Sequence, residues 1–155
     1  MAGNTITTWI LVADGEHARV VVPASQRQFH TISSLDSATA HQRSSDLGTG
    51  EPGRSYESAN PTRHAIEPKT DPHRAAERDF VRLLATQMNE AATEGRYDHL
   101  VLVAPAHALL DLREALGREA TALLHGTLAK DLVKVPDAEL GGHLDAFWRP
   151  PAEAA

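Results

Sequence analysis

Two apolar runs stand almost back to back near the start of the chain, TTWILVAD (7–14) and HARVVVP (17–23), with only Gly15 and Glu16 between them. No other feature restricts the fold as much. The connection is too short for a crossover, so the two strands must pair antiparallel. Asp14-Gly15 is a hairpin-turn dipeptide, and Pro23 ends the second run because proline has no N–H for a sheet ladder. A weaker alternating stretch, RQFHTISSL (27–35), reads as a third strand and completes a three-stranded meander within the first 36 residues. The first run has no polar alternation, which marks a strand covered on both faces.

Helical spacing begins at Pro72, where a proline suits the first helical position and Asp71 suits the cap. Ala76, Phe80, Leu83, Leu84, Met88 and Ala91 share one face, and Gly95 is a natural stop. DHLVLVAP (98–105) reads as a buried strand. Residues 106–117 read as a helix with Ala108, Leu109, Leu112 and Leu116 inward. Residues 120–132 are ambiguous, and the apolar stretch 123–128 is assigned as a strand. Residues 136–147 read as a last helix, with Leu140, Leu144 and Phe147 at i, i+4 and i+7. The order is βββ-α-β-α-β-α. It implies an α/β fold with a ribonuclease H-like mixed five-stranded sheet and helices on its faces. One domain over residues 1–148 and a tail at 149–155 are expected.

Composition narrows the function classes. Aromatic residues are 5% of the chain, so the core must be built from Leu, Val and Ala. There is no cysteine, which excludes disulfides, thiol chemistry and cysteine-ligated zinc. A net charge of −6 argues against a generic nucleic-acid binder, although not against a local basic patch. The N-terminal apolar run is too short for a signal segment, and no run approaches a membrane span, so a cytoplasmic location without a membrane partner is expected.

Residues 36–71 differ from the rest. They are rich in Ser, Thr, Gly and Pro, and between His41 and Arg74 five basic residues balance five acidic ones. A segment this long without regular structure is functional or orders on a partner. Gly48-Thr49-Gly50-Glu51-Pro52-Gly53 matches the spelling of a dinucleotide fingerprint, G-x-G-x-x-G. It lacks the preceding strand and following helix that aim backbone amides at a pyrophosphate. The segment is therefore read as a binding loop, not a nucleotide site.

WILVADGEHARVVV (9–22), GRSYES (53–58), DHLVLVAPAHALLDLREALG (98–117) and LAKDLVKVPDAELGGHL (128–144), in that order, resemble the bacterial host attachment protein family. By that resemblance the chain is related to the middle domain of eukaryotic and archaeal class-1 peptide release factors, which has a ribonuclease H-like fold. In those factors a Gly-Gly-Gln loop precedes the long helix and promotes hydrolysis of peptidyl-tRNA. The loop at 36–71 stands in the equivalent place, but this chain has no Gly-Gly-Gln. Its glutamines are Gln26, Gln28, Gln42 and Gln87. The resemblance thus implies a binding module without the release motif, acting on the ribosome, on tRNA, or on a protein that grips the loop. Direct attachment at the cell surface and a hydrolase activity are the alternatives.

The candidate binding residues are Arg54, Ser55, Arg63, His64, His73, Arg74 and Lys130. The first six lie in or beside the loop, and Lys130 follows the last strand at the sheet edge where α/β ligands collect. Asp14 is the one candidate catalytic carboxylate, with Glu77 or Asp79 facing it from the helix. The strand end Val103-Ala104-Pro105 brings no carboxylate for a two-metal site. Nine histidines occur, and none has zinc-ligand spacing. No cofactor and no metal are expected.

Overall fold

The computed structural model describes residues 6–24, 28–38 and 72–144. Five strands form one sheet: β1 (Thr8–Ala13), β2 (His17–Pro23), β3 (Phe29–Asp36), β4 (His99–Ala104) and β5 (Leu124–Ala129). Among the described residues four helices accompany them: α1 (Pro72–Thr93), α2 (Ala106–Ala115), α3 (Arg118–Ala122) and α4 (Asp137–Leu144). The strand order is β3-β2-β1-β4-β5. β1–β2 and β2–β3 pair antiparallel, while β1–β4 and β4–β5 pair parallel. This is the mixed, open, ribonuclease H-like sheet that the sequence pattern implies.

β1 is apolar from Trp9 to Ala13 because it is the central strand and both its faces are covered. Leu11 and Ala13 meet α1 and α2, together with Leu100, Leu102 and Ala104 of β4. Ile10 and Val12 face the other way, with Val101, Val103, Leu140 and Leu144. The helix side of the first core is supplied by Phe80, Val81, Leu84, Ala85, Met88 and Ala91 of α1 and by Leu112, which is fully buried. Ala108, Leu109, Leu112 and Leu116 are all inward as their spacing implies. Val81 and Ala85 widen the buried stripe of α1 beyond the expected face, because α2 and α3 pack beside it as well as the sheet.

α1 ends in a glycine stop. Gly95 has φ +72°, and its N–H and that of Arg96 turn back to the carbonyls of Ala92 and Ala91, at 3.1 and 2.9 Å. These paired bonds satisfy carbonyls that the helix end would otherwise leave open.

Three elements differ from the sequence reading. The strand expected at 27–35 is Phe29–Asp36, and its register with β2 shifts so that Ile32 is passed over, leaving it 47% exposed. Residues 118–122 form the short helix α3, which Gly117 separates from α2; its Ala120 is fully buried. The last helix is Asp137–Leu144, with Leu140 and Leu144 fully buried; Phe147 lies outside the described residues, as do Asp71 and the 149–155 tail.

α4 is tied to the strands by one carboxylate. Asp137 accepts from the Thr31 N–H at 2.8 Å and from the Thr31 hydroxyl at 2.6 Å, and the Arg19 guanidinium lies 3.6 Å away. Arg19 also donates to the Leu132 and Val135 carbonyls, fastening the chain ahead of α4 to β2. Partial burial acts to raise the Asp137 carboxyl. The two Thr31 bonds and the charges of Arg19 and His30 outweigh it, holding Asp137 below the usual carboxylate value.

Candidate functional site

β1, β4 and β5 are parallel, so their C-terminal ends open at one sheet edge. Asp14 follows β1 there and Pro105 follows β4. The first turns of α1 and α2 rise on the same side and enclose a cleft of about 350 Å³ with these two strand ends. This is the edge at which open α/β sheets place ligands.

The β1–β2 hairpin forms its floor. Asp14 Oδ1 accepts from the backbone N–H groups of Glu16 (2.8 Å) and His17 (2.7 Å), while the Asp14 N–H donates to the His17 carbonyl at 2.9 Å. Asp14 is therefore first a turn residue, as its place before Gly15 implies. Next to it, the glycine has a definite role. A Cβ on Gly15 would fall 2.7 Å from both Cγ and Cδ of Glu77, so only glycine leaves the Glu77 side chain room to lie across the hairpin.

α1 supplies His73, Arg74 and Glu77. His73 and Glu77, four residues apart, project from the same side of the helix. His73 Nε2 lies 3.5 Å from Glu77 Oε2 and 3.8 Å from Oε2 of Glu16 on the hairpin. α2 adds His107 and Asp111. Among the described residues the cleft thus gathers four carboxylates, Asp14, Glu16, Glu77 and Asp111, against one guanidinium, that of Arg74. Its potential attracts cations and repels phosphate.

Of the two carboxylates that could face Asp14 from the helix, only one lines the cleft. Glu77 faces Asp14 across the cleft, whereas Asp79 is exposed and lies 3.8 Å from Arg82. The end of β4 brings no carboxylate, as read, but Asp111 reaches the same place from the second turn of α2. Sequence reasoning missed it because Asp111 reads as one polar position among leucines. Lys130 is exposed at the end of β5 and does not line the cleft. His73 and Arg74 stand at the rim. Arg54, Ser55, Arg63 and His64 lie outside the described residues, as does the glycine pattern at 48–53.

The structure does show where the long segment begins and ends. The Ser37 N–H, just past β3, donates to the Glu16 carbonyl at 2.7 Å. At the other end, His73 in the first turn of α1 meets the Glu16 carboxylate. Both anchors of residues 39–71 therefore converge on Glu16, at the rim of the cleft.

Among the described residues no helix is long and apolar enough to cross a membrane. No curated protein matches the chain. The family described as "protein required for attachment to host cells" matches residues 9–144, from β1 to the last residue of α4, and the chain belongs to that family.

Proposed function

We propose that this host-attachment-family protein is a non-catalytic, cytoplasmic binding module for a macromolecular partner. It acts through residues 39–71 together with the cleft at their base. The observation that carries the reading is the convergence of both segment anchors, Ser37 and His73, on Glu16. A segment fixed at its base beside a charged cleft presents its residues to a partner while the sheet holds the cleft rigid. The release-factor resemblance suggests the translation apparatus as that partner, and a ribonuclease H-like sheet is compatible with it. Contact with RNA phosphate falls to Arg54 and Arg63, because the acidic cleft repels phosphate.

Ribosome co-sedimentation tests this reading. The wild type should pellet with ribosomes at low salt, and an Arg54→Ala/Arg63→Ala variant should be released at lower salt. If both proteins stay in the soluble fraction, the RNA partner is wrong. The family's description favours a second reading, direct attachment at the cell surface. Fractionation decides it: protein on the surface of intact cells would replace the cytoplasmic reading.

A further inference from the structure

Glu16, His73 and Glu77 come from two elements that meet only in the folded chain. Each offers one ligand atom, and the three atoms lie within 4.8 Å of one another. The set is one imidazole nitrogen and two carboxylate oxygens, a donor mixture that suits first-row divalent ions. Two ligands about 2.1 Å from a tetrahedral zinc lie roughly 3.4 Å apart. The observed separations from His73 Nε2, 3.5 and 3.8 Å, are close to that edge. In an octahedral shell neighbouring ligands would lie about 3.0 Å apart, a poorer fit.

The surroundings favour a cation at the same point. Asp14 and Asp111 add negative potential to the cleft, where Arg74 is the one fixed positive charge among the described lining residues. Gly15 keeps Glu77 over the hairpin, where its carboxylate meets the other two ligands. All three ligand side chains are partly exposed, so an ion can enter from solvent and side-chain rotation alone can close the shell.

We propose that Glu16, His73 and Glu77 form a binding site for a divalent first-row cation, with zinc the best fit and solvent in the remaining position. The ion would join the hairpin to the first turn of α1 and so fasten the base of residues 39–71. It would also neutralise the charge of the two carboxylates that bind it. The proposal stands on these three side chains and does not depend on the identity of the partner.

Calorimetric titration of the chelator-treated full chain with Zn²⁺ tests it, with Mn²⁺ followed by electron paramagnetic resonance as a second probe. One site per chain is expected. His73→Ala and Glu16→Gln/Glu77→Gln should each weaken it at least tenfold, with circular dichroism unchanged. His99→Ala/His125→Ala should leave it intact; those two imidazoles, stacked with centroids 5.0 Å apart and away from the cleft, are a competing donor pair among the described residues. No zinc binding at millimolar concentration would overturn the proposal. So would binding that survives His73→Ala, or binding lost with the His99/His125 pair. A ribosome result of either sign leaves this measurement unaffected.

Discussion

Glu77 lies across Gly15 so closely that the smallest side chain on Gly15 would displace it, with Cγ 2.7 Å from the ideal Cβ position. The contact joins the β1–β2 hairpin to α1 and sets where the Glu77 carboxylate stands. Because the displaced group is the far end of a flexible side chain, Gly15→Ala should change stability by only about 0.5 kcal/mol. It should nevertheless weaken zinc binding roughly tenfold by turning Glu77 out of the ligand set. Urea unfolding and zinc titration of the same variant separate the two effects.

Asp137 joins α4 to β3 through Thr31 and to β2 through Arg19, and its carboxyl is held below its ordinary value of 3.8. The fold favours its charged form, so its contribution is complete above pH about 4 and is lost as pH falls through the lowered folded value. Asp137→Asn should cost about 1 kcal/mol at pH 7. The difference from wild type should shrink as pH drops below about 4. Unfolding free energies measured from pH 7 to pH 2 check both.

Tyr97 is buried, donates to the Met88 carbonyl at 3.0 Å and packs against Trp9 with ring centroids 5.1 Å apart. Burial pushes its phenol from 10.0 up to about 12. Here the fold favours the neutral form. The contribution is complete below pH 10 and is lost as pH rises through about 12. Absorbance titration should show one of the two tyrosines ionising late, and Tyr97→Phe should remove that step. The same variant should lose about 1 kcal/mol near neutral pH through loss of the buried hydrogen bond to the Met88 carbonyl.

Gly95 has φ +72° with open space around the Cβ position. The cost of Gly95→Ala is therefore torsional rather than steric, about 1 kcal/mol. Gly95→Asn should cost less, because asparagine tolerates the left-handed region. Thermal unfolding of the two variants gives the order directly.

Much of the fold was legible because its signals are local. Short connections forced β1, β2 and β3 into a meander, continuous apolar runs marked β1 and β4 as doubly covered, and Pro72 and Gly95 bracketed α1. What was missed depended on neighbours. Gly117 divides α2 from α3, yet nothing in the stretch REATA (118–122) after it shows that Ala120 turns into the core. The passed-over Ile32 in β3 reflects pairing register, which only the partner strand β2 determines.

The candidate site divides the same way. Asp14 was legible as a strand-ending carboxylate, and its turn role follows from the adjoining glycine. The sequence by itself determined the β1–β2–β3 meander, the covering of β1 on both faces and the succession of helices and strands after Pro72 apart from α3, since periodicity and connection length act over a few residues; its ordered segments also carried the family resemblance. Only the tertiary structure decided that Glu16, His73 and Glu77 meet, that Asp111 joins them, and that both ends of residues 39–71 reach the same glutamate. Those residues are separated by up to ninety-five positions, roughly, and a loop-closure constraint of that length leaves no local pattern. Their convergence is set by the parallel pairing of β1 with β4 and by the packing of α1 and α2 over the sheet.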